Sequence, residues 1–287
     1  MKQPQLLFAP ALGLALAVAG VAQAQTPATN PMPDGSRDMY AGLGVVSRPG
    51  YEGADSRDVR ALPVLQVQWS NGVFVSGMTA GMHLSDRPTL EYGPLLALHP
   101  NRDESGSGNE VGAPSATVFP ALVPFEARSA GPRLNGMRDI RTRLEGGAFL
   151  NYYVAPAWRL TGSVLAGAGN ERNGARMELG VQRLALAVAP HHTVSLSAGV
   201  TLANGAYNRA YFGVGEDDSW NSGNPYYRPG GGLKDVYVGA RWNWALGPSW
   251  MLTTHVQAVR LSGDVRHSPL VERPTNVTVS TAFAYRF

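Results

Sequence analysis

Asn276-Val-Thr-Val-Ser-Thr-Ala-Phe-Ala-Tyr-Arg-Phe287 alternates without a break. Val277, Val279, Thr281, Phe283, Tyr285 and Phe287 fall on one face, and Asn276, Thr278, Ser280, Ala282, Ala284 and Arg286 on the other. Successive side chains of a strand point to opposite faces, so this segment has one apolar, aromatic face and one small, polar face. In water such a terminal edge would normally be blunted by charge. An apolar outer face ending on phenylalanine instead fits the closing strand of an outer-membrane β-barrel.

The amino terminus agrees. After Lys2 an apolar run extends from Leu6 to Val21 and is followed at once by Ala22-Gln23-Ala24. The run falls short of the roughly 20 apolar residues that span a bilayer, and a small-x-small site closes it. The expectation is a cleaved secretory signal over residues 1–24, a flexible periplasmic leader over 25–37 and a barrel over 38–287. The absence of cysteine excludes a lipid-bearing amino-terminal Cys and a disulfide framework. Charged residues are only 16% of the chain, against 34 Gly and 21 Pro, and no second apolar stretch approaches membrane-helix length. No long 3.6-residue periodicity supports a periplasmic α/β binding protein. The net charge of +3 comes with scattered arginines, which argues against nucleic acid and suits ion pairs inside a polar lumen.

The same alternation recurs upstream. Residues 192–203 set Val194, Leu196, Ala198, Val200 and Leu202 against Thr193, Ser195, Ser197, Gly199 and Thr201, at about the length of a tilted spanning strand. Lys234 to Leu246 sets Val236, Val238, Ala240, Trp242 and Trp244 against Asp235, Tyr237, Gly239, Arg241 and Asn243, and comparable patterns cover 60–69 and 250–260. Three tight connections contain proline: Ala155 to Trp158, Ala189 to His192 and Gly247 to Trp250. These read as periplasmic turns, and Trp69, Trp158, Trp244 and Trp250 beside such turns predict one aromatic girdle. The longer stretches Arg48 to Asp58, Ala203 to Gly232 and Ser262 to Pro274 read as extracellular loops.

Eleven alternating segments can be counted, near 38–47, 60–70, 72–83, 88–98, 139–153, 157–168, 175–189, 192–203, 233–246, 249–261 and 275–287. Bacterial single-chain barrels have even strand numbers, so the fold expected is all-β, a transmembrane antiparallel β-barrel of about twelve strands within a range of 10–14. Pro114 to Ala127 is the best candidate for the missing strand, which would make Pro100 to Ala113 a long periplasmic connection.

No nucleophile elbow, zinc-protease helix, phosphate-binding loop or cysteine-based metal set is present, so no catalytic, cofactor-binding or metal-ligating residue is assigned and no enzyme is expected. Inward His255 with Ser195 and Ser197 forms a Ser–His combination without an orienting carboxylate, which any hydrated lumen supplies. His191-His192 has ligand chemistry, yet adjacent strand residues point apart, and a hydrated turn is the better reading. Arg141, Arg143 and Glu145 share a face, as do Arg241 and Asp235; an ion-pair lattice is favoured over a selectivity ring. Tyr207 to Tyr227, with Glu216, Asp217, Asp218, Trp220, Tyr226 and Tyr227, suits either a partner or sugar contact or a self-packed cap.

Gly44-Val-Val-Ser-Arg-Pro-Gly-Tyr51-Glu-Gly53 followed by Ala61-Leu-Pro63-Val-Leu-Gln-Val-Gln-Trp69 resembles the opening of the MipA/OmpV (MltA-interacting protein) family. Leu134-Asn-Gly136-Met137-Arg-Asp-Ile140, Ala210-Tyr211-Phe-Gly213-Val214, Gly232-Leu-Lys234-Asp235 and Arg260 to Val271 resemble its later landmarks in order, while Arg102 to Gly131 matches none of them. The resemblance implies a barrel in the cell outer membrane, surrounded by lipid, without a catalytic residue set. It also implies a scaffold joining a lytic transglycosylase to a penicillin-binding murein synthase. A monomer acting as such a scaffold is the expectation, with a narrow channel or small-solute transporter as the alternative.

Overall fold

The computed structural model describes residues 38–107, 132–167 and 174–287. The signal and leader segments therefore lie outside the described residues, as does the proposed strand at 114–127. Fourteen strands follow one another among the described residues. They are β1 (Asp38–Pro49), β2 (Arg57–Gln68), β3 (Val73–Ser76), β4 (Thr79–Met82), β5 (Leu90–His99), β6 (Arg102–Asp103), β7 (Gly106–Ser107) and β8 (Arg143–Ala155), then β9 (Trp158–Gly167), β10 (Ala175–Ala189), β11 (His192–Ala203), β12 (Gly232–Ala245), β13 (Trp250–Leu261) and β14 (Thr275–Arg286). Two helices, α1 (Gly205–Phe212) and α2 (Glu216–Ser222), lie between β11 and β12. No described helix is long and apolar enough to cross a membrane.

Twelve of the strands, all but the small β6–β7 hairpin, close into a barrel in which every pairing is antiparallel. β14 completes the wall against β1, with Tyr40 opposite Arg286 and Ser47 opposite Val279. Closure leaves no free edge, which is why strands of this composition are stable in lipid, where every backbone polar group needs an internal partner. At that seam Gly42 lies directly against the Phe283–Ala284 backbone, leaving no room for a Cβ.

The facing follows the alternation. Val277, Val279, Phe283 and Tyr285 are exposed on the outside while Ala284 is buried inside; Val238, at 59% exposure, lies outside with its neighbour Tyr237 buried in the lumen. Trp69, Trp158, Trp244 and Trp250 are all partly exposed at the end with the short turns, forming the expected girdle. There Trp250 stacks on Phe283 at 4.7 Å and meets Tyr285 edge-on at 4.9 Å, and His192 stacks on Trp242 and Trp244 at 5.5 and 5.2 Å.

The even strand count arises differently from the expectation. The segment 72–83 is two strands, β3 and β4, folded back at Gly77, which takes a left-handed φ of 55°. This hairpin rises only part of the way up the wall: the Gly77 N–H donates to Leu65 O, and the rest of β2 continues above it. β5 then runs upward, so the connection after His99 starts at the extracellular end and not at the periplasmic one. There Arg102 exchanges backbone hydrogen bonds with Ile140, and the Ser107 N–H donates to Gly50 O in the first long loop.

Candidate functional site: a plugged lumen

α1 is set in the extracellular mouth of the barrel. Asn204 caps it, its side chain accepting a hydrogen bond from the Tyr207 N–H at 2.8 Å. Tyr207, Asn208, Tyr211 and Phe212 are its buried face, spaced as one side of a helix. Tyr207 and Phe212 are each 1% exposed and cluster with Ile140, Ala203, Leu261 and Val265. Around them stand residues of β5, β8 and β12. His99 of β5 contacts the hydroxyls of Tyr207 and Tyr211 at 3.3 and 3.2 Å. Arg143 of β8 lies over both rings at 5.6 and 5.1 Å, and Lys234 of β12 lies over Tyr207 and Phe212 at 5.7 and 5.9 Å. Desolvation in this packing pushes both tyrosine hydroxyls well above their ordinary value, so they remain neutral hydrogen-bonding groups.

Beneath and beside α1 the inward charges form an interlocked lattice. The Glu145 carboxylate, 1% exposed, accepts from Arg143 at 2.7 Å and from Arg176 at 3.0 Å. Lys234 bonds Glu52 of the first loop at 2.6 Å and Asp235 at 3.0 Å. Asp58 holds Arg60, and the Tyr237 hydroxyl donates to Glu178. Desolvation pushes the Glu52 carboxyl up, but the Lys234 ammonium beside it outweighs that and leaves it below its ordinary value. Above α1 a second layer closes the cap: Val214 bridges Tyr227, Tyr51 donates to Leu270 O, and Arg138 clamps Asp218 with two parallel bonds at 3.0 and 3.1 Å.

The periplasmic half of the lumen is built otherwise. Arg159 donates to Gln182 Oε1 at 2.6 and 3.2 Å, bonds the Tyr153 hydroxyl at 3.3 Å, and approaches Glu91 at 3.8 Å. Arg241 sits opposite Ser195 on β11 and His255 on β13. Around these residues the lumen presents neutral polar groups, among them Ser197, Asn243 and Thr253.

The residues singled out in the sequence are distributed as follows. Arg143 and Glu145 are partners, as the lattice reading has it, but Arg141 is exposed and precedes β8, because the bridge of Ile140 to Arg102 holds the chain away from the wall until Arg143. Asp235 and Arg241 share a face, yet Asp235 pairs with Lys234. Ser195 accepts from the Ala185 N–H, and no described carboxylate hydrogen-bonds His255. His191 occupies a turn with φ 63° while His192 stacks on the outer tryptophans, so the two rings diverge, and no metal-holding cluster exists among the described residues. The Tyr207 to Tyr227 segment is a self-packed cap, from which Trp220 stands out at 90% exposure and Tyr226 at 54%. Glu52 and Lys234 were not paired in the sequence reading, being 182 residues apart.

A family model, MltA-interacting protein MipA, matches residues 41–287. The chain belongs to this family. Its barrel architecture and membership place it in the outer membrane. Among curated proteins none matches the chain. Of solved structures, a NanC porin is similar at 9% identity and a TM-score of 0.46, covering 85% of this chain and 100% of its own; a KdgM porin at 9% and 0.41, covering 88% and 99%; and an outer-membrane channel from Pseudomonas putida F1 at 10% and 0.42, covering 89% and 97%.

Proposed function

We propose that this protein is a closed barrel acting as a scaffold, anchored by its wall and presenting its periplasmic rim to murein enzymes, a lytic transglycosylase and a murein synthase. The observation that carries the reading is the plug: Tyr207 and Phe212 fill the extracellular mouth and are held by side chains from across the wall. A side-chain-filled barrel has its rims left for contact, and partner contact concentrates in a few aromatic and Arg anchors. At the periplasmic rim the turns Ala155 to Trp158, Ala189 to His192 and Gly247 to Trp250 supply such residues.

Two measurements test it together. The purified protein in a planar bilayer is expected to carry no steady current, and pull-down from periplasmic extract is expected to recover murein enzymes, with recovery lost when the three turns are replaced and barrel yield unchanged. Steady wild-type currents together with absent pull-down would install the channel reading instead.

A further inference from the structure

We propose that the extracellular rim above β12 and β13 carries a docking surface for the phosphate groups of anionic lipid in the surrounding leaflet, formed by Arg209, Arg228, Arg260 and Arg266. This is the rim opposite the one used in the scaffold reading, and the proposal does not rest on that reading. Hydrogen bonds bring the four segments together. Arg209 lies on α1 beside Asn208, whose side-chain amide donates at 2.7 Å to Gly230 O, two residues beyond Arg228. The Gly230 N–H in turn donates to the Asp264 carboxylate at 2.9 Å, and the Tyr227 hydroxyl donates to Asp264 O at 2.7 Å. Both bonds fix this stretch on the short helical turn Gly263–His267, which carries Arg266. Ser262 joins the last two: its hydroxyl donates to Arg260 O at 3.3 Å, and its carbonyl accepts from the Arg266 N–H at 3.4 Å. A Cβ on Gly205 would meet Arg209 Nη1 at 2.7 Å and Gly231 N at 3.5 Å, so the Arg209 guanidinium lies where α1 meets the start of β12.

All four arginines are exposed, and none forms an ion pair among the described residues. Asp264 is the one acid in these segments, and its carboxylate is taken up by the Gly230 N–H. Exposed acids gather on other segments: Glu104 and Asp139 line a surface cavity with Arg138 and Asn221, Glu216 and Asp217 head α2, and Asp55 is paired with Arg273. Like charges held together without counter-charges repel one another, which a phosphorylated surface reverses. Position supplies that surface. Arg260 continues the outward series of β13, four residues above Val256, which is 40% exposed on the lipid side. Its guanidinium therefore leaves the wall at the extracellular end of the strand, at the boundary where long basic side chains place their charge among headgroups. The guanidinium fork matches phosphate oxygens, and a cluster of such groups beside a bilayer is attracted to anionic lipid.

The test uses the full protein refolded in detergent and native mass spectrometry, with lipid A, a phosphorylated glycolipid, and zwitterionic phosphatidylcholine as the two probes. Lipid A is expected to remain bound and phosphatidylcholine to leave. Arg209→Gln, Arg228→Gln, Arg260→Gln and Arg266→Gln should each weaken lipid A binding about fivefold, and the quadruple variant should lose it. Arg141→Gln changes an exposed arginine ahead of β8, across the barrel, and should leave binding unchanged. Heat-modifiable gel mobility checks folding. Equal retention of the two lipids by the wild type overturns the proposal, and that comparison decides alone if the variants do not fold. A loss for Arg141→Gln as large as for the four overturns it too, since total charge would then be the cause. So does displacement of lipid A by inorganic phosphate at the lipid's own concentration, which would make the ligand a free anion and not a membrane headgroup.

Discussion

Above the level of Glu145 the inward charges are mostly paired with one another beneath a packed helix, whereas Arg159 and Arg241 stand among mostly neutral polar groups. In the extracellular half Glu52, Asp58, Glu145 and Asp235 answer Arg60, Arg143, Arg176 and Lys234, and a helix is packed onto the result. In the periplasmic half the wall offers Gln182, Ser197, Asn243 and Thr253 with two guanidinium groups among them. The same alternation on the same strands thus builds a helix-plugged, ion-paired end and an end where arginines stand among neutral polar groups. A buried charge must be matched where water is expelled, and the ion pairs most fully buried on both sides, Arg143–Glu145 and Lys234–Asp235, lie where α1 is packed against the wall.

The largest expected effect therefore belongs to Glu145. Replacing it by Leu leaves Arg143 and Arg176 facing each other without their shared carboxylate, and breaking a buried pair from one side costs about 3–5 kcal/mol. Gln182→Leu, in the periplasmic half, removes one acceptor from the partly exposed Arg159 guanidinium and should cost about 1 kcal/mol. Urea unfolding in lipid vesicles would measure both. Equal losses would erase the distinction between an ion-paired end and one held by neutral acceptors.

Next comes the outer wall, which is common to both halves. Val238→Arg places a charge in lipid and should cost about 2–4 kcal/mol if the residue lies near the midplane, while Gln257→Arg, pointing inward on the neighbouring strand opposite Gly239, should be milder. Matching losses on the two faces in the same vesicle assay would contradict the assigned facing.

The wall was legible in the sequence because lipid enforces it: any strand exposed to hydrocarbon must alternate, and Val194 to Leu202 or Val277 to Phe287 can hardly be read another way. The β3–β4 hairpin was not, since Val73, Val75 and then Ala80 and Met82 keep an outward apolar series on both sides of the turn, and only the Ser76-Gly77 pair marks the fold-back. The plug was missed for a different reason. Tyr207, Asn208, Tyr211 and Phe212 do fall on one helical face after a capping Asn204, but eight residues are too few for periodicity to stand out. Its partners were hidden further, because Glu145 and Arg176 sit on strands that are not neighbours in the wall and Lys234 meets Glu52 across the mouth. Sequence alternation says which way a side chain points and not whom it meets inside.

The smallest expected effect is also the one most confined to a single half. Glu52 has a folded value held below the ordinary 4.5 by Lys234, with His99 and Arg176 adding to it against the opposing pull of desolvation. Asp218 is likewise below the ordinary 3.8, held there by the Arg138 clamp against desolvation. A depressed carboxyl stabilises the fold fully above its ordinary value, and the contribution disappears as pH falls through the folded value. Through these two carboxyls nothing should change between pH 7 and pH 5; on descending below about 4.5 the Glu52–Lys234 clasp should weaken first, and the cap over α1 after it. Hydrogen exchange at pH 7 and pH 3, corrected for intrinsic rates, is the direct measurement. The amides of 205–212 and 216–222 should lose protection at pH 3 while those of the wall strands β9, β11 and β13 keep theirs. Glu52→Gln should reproduce the loss over 205–212 at pH 7 and leave 216–222 protected. If the plug instead stays as protected in acid as at neutrality, the clasp is not what holds α1, and the aromatic packing of Tyr207 and Phe212 against Leu261 and Val265 must carry the seal unaided.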